Sequence, residues 1–261
     1  MRYDLLTMDK LTPEECLILA DVINDTSTTL DVLDCLKQGM CRAYVYGNLP
    51  HITAYLVIDT VYDDAFCFST DVNAMWHLLA AQQGLEGLII NVDPADAETL
   101  GQLISAKTGR PVSYSVVIHQ TLIELVRPYP NEVIRLLTSS DEALFAKAPE
   151  GIWGNSYQTP QKILSTGPVA AAIVNDSIVS IAQTYAQTDL HGGLSVYTLE
   201  KWRGKGYATS AASLVAETLQ AMGKVPVWYC GEENSASLRT AEKLGFVEVS
   251  RRIDIVCTST E

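Results

Sequence analysis

The sequence predicts a mixed α+β protein built around a mostly antiparallel sheet. Three observations carry that reading. Short apolar runs at residues 169–174, 178–187 and 194–199 read as consecutive strands of a meander. The stretch 207–222 has the apolar period of a helix and leads to a strand at 225–230, a helix at 235–244 and strands at 246–255. Between meander and helix stands Arg203-Gly204-Lys205-Gly206-Tyr207-Ala208, a glycine-bearing turn that opens directly onto a helix N-terminus.

The elements before that core follow in order. Thr12-Pro13-Glu14-Glu15 is a helix start, with a capping hydroxyl, Pro in the first turn and acids behind it. Residues 11–40 read as helical, the second helix running over 28–38 and ending at Gly39. Strands are expected at 42–46, 54–62 and 65–69, a helix at 72–83, a strand at 87–92 and a helix at 94–107. Residues 111–127 read as extended, with 122–126 the clearest piece. Pro128-Tyr129-Pro130-Asn131 favours extended or turn backbone and is the expected boundary between domains 1–130 and 131–261. Beyond it come a strand at 133–137 and helices at 140–148 and 159–164.

At 261 residues the chain is long enough for one large or two small domains. Net charge is −13, unevenly spread. Residues 1–130 carry 17 acids and 7 bases, net −10, and residues 131–261 carry 14 and 11, net −3. An acidic surface argues against nucleic acid and anionic membranes as partners. It is compatible with attraction of a cationic amine, or simply with solubility. No apolar run approaches the ~18 residues of a bilayer span. Met1-Arg2-Tyr3-Asp4 lacks a signal-peptide layout, which points to the cytoplasm. The six cysteines (16, 35, 41, 67, 230 and 257) contain no CxxC pair and have no His at ligand spacing. They read as free thiols, and no metal site is expected.

The turn at 203–208 is where chemistry enters. A helix N-terminus presents unpaired backbone N–H groups and the positive end of the helix dipole, a setting suited to phosphate. Gly204 and Gly206 allow close approach and positive φ. A second signature follows about thirty residues on. Asn234-Ser235-Ala236-Ser237 reads as a capped helix start, and Leu244-Gly245-Phe246 as a helix end with Gly in the left-handed position.

Together the two signatures resemble the GNAT superfamily of N-acetyltransferases. Its pyrophosphate loop, Arg/Gln-x-x-Gly-x-Gly/Ala, is similar to Arg203–Ala208 at every fixed position. Its later Asn-x-x-Ser/Ala…Leu-Gly-Phe segment is similar to Asn234, Ser237 and Leu244-Gly245-Phe246. The resemblance covers the C-terminal half. The first half repeats the same order of elements and looks like a degenerate copy, with Asp71-Val72-Asn73-Ala74-Met75 where the glycine loop would stand. This layout resembles the glycine N-acyltransferase branch.

The resemblance implies acetyl-CoA as acyl donor, lying in a gap between splayed strands. It implies that Val196, Tyr197 and Thr198 pair with the pantetheine, and that a backbone N–H there polarises the thioester carbonyl. Arg203, Gly204, Lys205, Gly206, Tyr207, Ala208 and Thr209 would hold the pyrophosphate, with Asn234 and Ser237 near the pantetheine and sulfur. It implies direct attack by the amine in a ternary complex, as monomer or homodimer. Two positions depart from the family: its usual general acid, a Tyr, is Ala241 here, and its usual Glu base is Tyr229. Tyr229, Glu232 and Ser237 are therefore the expected catalytic residues, with Tyr229 equally readable as core and Glu232 as a solvated loop acid. Cys230 is either a packed thiol or a ping-pong nucleophile, and Trp202 packs beside the loop. His191 is either a turn residue or the mouth of the acceptor cleft. Trp153 and Tyr157 are either its lid or an anchor.

The expected function is an N-acetyltransferase acting on a primary amine of a small molecule or amino acid. The alternatives are a catalytically silent acyl-CoA-binding sensor and an acetyltransferase acting on a protein amine.

Overall fold

The computed structural model describes residues 9–62, 64–82, 84, 85, 87–149, 152 and 159–258. It is an α+β structure with mostly antiparallel strand pairing, as the sequence predicts. Two compact units form. The first comprises Met1–Asn24, Val32–Val117 and Arg251–Glu261, and the second Asp25–Asp31 and Ile118–Ser250. The Pro128–Asn131 segment, expected as a boundary, lies within the second unit. There Arg127 N donates to Leu244 O (3.3 Å) and Tyr129 N to Ser213 Oγ (3.2 Å).

The chain opens with α1 (Pro13–Val22) and α2 (Leu30–Gln38). Thr12 and Glu15 cap α1 reciprocally: Glu15 N donates to Thr12 Oγ1 (3.3 Å) and Thr12 N to Glu15 Oε2 (2.8 Å). Gly39, at φ 67°, ends α2. The strands β1 (Cys41–Asn48), β2 (His51–Asp59) and β3 (Asp64–Ser69) pair antiparallel in sequence. Then come α3 (Val72–Ala80), β4 (Ile89–Val92), α4 (Pro94–Thr108) and β5 (Val112–Thr121). β4 pairs parallel to β3 through Asp64↔Ile89, Ala65↔Ile90 and Phe66↔Asn91. One apolar core joins α3 and α4 to this sheet through Met75, Leu78, Leu100 and Ile104. A second lies on the other face, where Leu19, Val32 and Leu36 pack with Val57 and Phe66.

The second unit repeats this order. After β6 (Ile134–Leu136), α5 (Glu142–Ala146) and α6 (Pro160–Thr166) come β7 (Val169–Val174), β8 (Ser177–Gln187) and β9 (His191–Thr198), again an antiparallel meander. Then follow α7 (Tyr207–Ala221), β10 (Val225–Gly231), α8 (Ser235–Leu244) and β11 (Val247–Cys257). β10 pairs parallel to β9 through His191↔Val225, Gly192↔Pro226 and Gly193↔Val227. In the first unit the place beside β4 is taken by β11, through Ile253↔Val92 to Val256↔Ile89. In the second, the chain leaving β5 ties to β10, where Leu122 N donates to Pro226 O (3.1 Å).

Residues 122–126 are not a strand, contrary to expectation. Leu122 is buried, but Ile123 and Leu125 are 69% and 86% exposed. Beyond Leu122, whose N–H still reaches β10, the Gln220 side chain serves the backbone: Val126 N donates to its Oε1 (3.1 Å) and its Nε2 donates to Glu124 O (2.7 Å). Among the described residues no helix is long and apolar enough to cross a membrane. None of them forms a His/Cys/Asp/Glu cluster able to hold a metal.

Candidate active site

The site grows from the way β9 and β10 part. Their pairing ends at Gly193↔Val227, while β9 stays paired with β8 as far as Thr198↔Ser180. From Leu194 onward one edge of β9 therefore borders a gap, and from Trp228 onward so does β10. Val196, Tyr197 and Thr198 lie along that gap, half-buried. The Thr198 carbonyl accepts from Arg203 Nε (3.2 Å), which fixes the root of the following turn.

That turn runs through a 3-10 segment, Glu200–Trp202, into α7. Gly204 and Gly206 have φ of 75° and 80°, the left-handed region that a side chain disfavours. Beyond the adjoining residues of the chain, no described atom lies within 4 Å of where a Cβ on either glycine would stand, so the space over both is open. Gly206 occupies the cap position of α7 and brings no side chain to its N–H groups. The first intrahelical bond is Ser210 N to Gly206 O (3.0 Å), leaving the N–H groups of Tyr207, Ala208 and Thr209 as the helix's initial donors. Thr209 is buried. Lys205 lies over the Trp202 ring, Nζ 4.5 Å from the centroid, and Trp202 also packs near Tyr207.

The two faces at the gap differ. On the α7 side stand Leu194, Trp228 and Ala241, all in one apolar core. Ala241 is fully buried there, so the helix position that carries the family's usual acid makes no polar contribution. Asn234 caps α8 by accepting from Ser237 N (3.1 Å). Ser237 Oγ accepts from Trp228 Nε1 (2.9 Å), which fixes the hydroxyl beside β10. Cys230 neighbours the same hydroxyl. Burial pushes its thiol up, Ser237 opposes that shift, and the Glu233 charge adds to it. A thiol held protonated is a poor nucleophile, which favours the packed reading over ping-pong chemistry. Glu232 is on the exposed loop after β10.

On the opposite face the structure gathers residues that sequence reasoning did not connect. Tyr185 is the extra residue where the β8–β9 register shifts, and its ring lies over Gly193. A Cβ on Gly193 would stand 2.4 Å from Tyr185 Cζ, so the glycine makes room for the ring. Tyr229 meets Tyr185 edge-on (5.8 Å) and stacks on His119 (5.2 Å). His119 Nδ1 lies 3.1 Å from Ser27 O. His191 Nδ1 lies 2.7 Å from Asp25 Oδ1. Tyr185 has no sequence signal, because a bulge is visible only in the pairing. Trp153 and Tyr157 lie outside the described residues.

A family model described as GNAT acetyltransferase matches residues 21–251. No curated protein matches the chain. Among solved structures it is similar to a Drosophila protein, at 13% identity over 97% of this chain and 98% of that one, with a TM-score of 0.71. It is similar to a GCN5-related N-acetyltransferase-like protein from Streptococcus suis, at 19% identity over 94% and 98%, with a TM-score of 0.62. It is also similar to a tandem GNAT protein from the clavulanic acid biosynthesis pathway, at 11% identity over 97% and 98%, with a TM-score of 0.59. At such identities the likeness concerns the fold, and the last of these shares the two-half layout. With the family model spanning most of the sequence, the chain belongs to the GNAT acetyltransferase family.

Proposed function

We propose that the protein is an N-acetyltransferase that moves an acetyl group from acetyl-CoA to a primary amine of a small molecule or amino acid, by direct attack in a ternary complex. The observation that carries this reading is the open, uncapped start of α7 beside the splayed β9–β10 gap. Backbone N–H groups from Gly204 to Thr209 would take the pyrophosphate, with Arg203 and Lys205 adding charge. The free edge of β9 at Val196–Thr198 would pair with the pantetheine, and a backbone N–H there would stabilise the developing oxyanion. Asn234 and Ser237 would border the arm and sulfur. Tyr229 is the proposed donor to the leaving thiolate, and Glu232 a more distant proton acceptor. In this reading the first half keeps the fold without a cofactor site, and the protein works in the cytoplasm as a monomer or homodimer.

Calorimetry of acetyl-CoA binding to wild type and Gly206→Trp tests it. Wild type binds, and the variant, with an indole over the loop, loses binding by at least about 100-fold, roughly 3 kcal/mol. No binding by wild type overturns the reading.

The burial of Ala241 favours one second reading, an acyl-CoA-binding sensor without turnover. Thiol release that depends on added amine decides against the sensor, and binding without it decides for it. A protein amine as acceptor is the remaining variant, distinguished by offering peptides with free Lys and N-terminal amines.

A further inference from the structure

The face of β9 away from α7 carries a carboxylate–imidazole pair. Strand alternation puts His191, Gly193 and Ser195 on that face, while Gly192 and Leu194 face Leu219 and the α7 core. His191 Nδ1 is 2.7 Å from Asp25 Oδ1. The Asp25 carboxylate also accepts from Thr188 Oγ1 (2.9 Å) and from Leu190 N (3.2 Å), so it is fixed by three donors. Both side chains are mostly buried, 12% and 18% exposed. With Nδ1–H held by the carboxylate, Nε2 is the ring's acceptor. Asp25 belongs to the segment Asp25–Asp31, which lies on the second unit. The same segment brings Ser27 O to His119 and Leu30 against Val227 and Ala186.

His191 stands two residues before Gly193, the last point at which β9 and β10 pair. At about 3.3 Å per residue that is roughly 7 Å along the strand, on the face where the Tyr185 ring lies over Gly193, so a proton would reach the imidazole through bridging water rather than directly. We propose that Asp25 and His191 are the proton-accepting pair for the acceptor amine, Asp25 as positioning residue and His191 as base; this rests on the acetyl-transfer reading above. The acceptor arrives as an ammonium. His191 Nε2 takes one proton from it and frees the nitrogen lone pair. The nitrogen attacks the thioester carbonyl carbon and a C–N bond forms. The C–S bond then breaks, its electron pair leaving on sulfur. The second N–H proton passes to the thiolate, and the proton on His191 returns to solvent. The products are an amide, CoA thiol and one proton. The pair supplies the base that the family's strand position, occupied here by Tyr229, does not. Among the described residues, Asp189 of the β8–β9 turn and Lys224, whose ammonium donates to Thr188 O, also carry charge at this corner.

The test follows thiol release against pH for wild type, His191→Asn and Asp25→Asn, with acetyl-CoA and a panel of free amino acids, arylalkylamines and polyamines. His191→Asn keeps a donor toward Asp25, and with it the hairpin tie, but has no group that takes a proton. We expect unchanged acetyl-CoA binding by calorimetry and a kcat about 100-fold lower or less still. KM should change little, and the acidic limb of the kcat/KM profile should vanish. Asp25→Asn should lower kcat while keeping an acidic limb, because His191 is still present to take the proton. Hydroxylamine, largely neutral at pH 7, should recover much of the rate lost in His191→Asn, which a merely structural role would not allow. A wild-type rate and pH profile in His191→Asn, or an equal loss with hydroxylamine, overturns this inference alone. Absence of amine-dependent release from wild type overturns it together with the acetyl-transfer reading.

Discussion

The starts of α3 and α7 occupy the same place in two copies of one plan, and they have been finished in opposite ways. At α3 the cap is Asp71, whose carboxylate accepts from Asn73 N (2.9 Å). One of the helix's initial donors is met by the chain itself, and a negative charge stands at the helix start. At α7 the cap is Gly206, with no side chain and open space above it. The strand pairs leading to these helices differ in the same sense. The third pair is Phe66↔Asn91 in the first copy and Gly193↔Val227 in the second. Phe66 is buried in an apolar core with Arg252 over its ring at 5.1 Å. Gly193 instead admits the ring of Tyr185 beside Tyr229. The first copy closes these positions with its own side chains, and the second leaves the start of α7 without a capping side chain.

Three substitutions would break or sharpen that contrast. Phe66→Ala removes the plug of the first copy and should destabilise by about 3–5 kcal/mol in urea unfolding, without creating a second acetyl-CoA site. A binding stoichiometry above one per chain would contradict the division of labour between the copies. Gly206→Asp transplants the first copy's cap into the second. Its carboxylate would occupy the helix N–H groups and repel pyrophosphate, so acetyl-CoA affinity should fall about 100-fold, or ~3 kcal/mol. Stability should change little, because the capping gain is offset by the left-handed φ. Asp71→Ala should cost about 1 kcal/mol of stability and leave acetyl-CoA affinity untouched. A measurable change in affinity would mean that the first copy takes part in binding.

Local chemistry made much of this legible. Thr12 and Glu15 mark the start of α1, Gly39 the end of α2, and Asn234 and Gly245 the two ends of α8, because caps act over three or four residues. The turn 203–208 announces itself through two glycines that both take positive φ. The same reasoning misread residues 122–126. Their alternation is that of a strand, yet the groups that satisfy their backbone belong to Gln220, far along the chain on α7.

By itself, then, the sequence determined the order of strands and helices, the repetition of one plan and the helix start suited to phosphate. Each of these is written in short-range patterns of apolar period, caps and glycines. Tertiary structure decided which residues meet at the candidate site. It brought Asp25 to His191 across 166 positions, placed Tyr185 over Gly193 through a bulge, and buried Ala241 among apolar neighbours. The physical reason is that strand pairing and core packing join residues by register and face, which adjacent letters do not record.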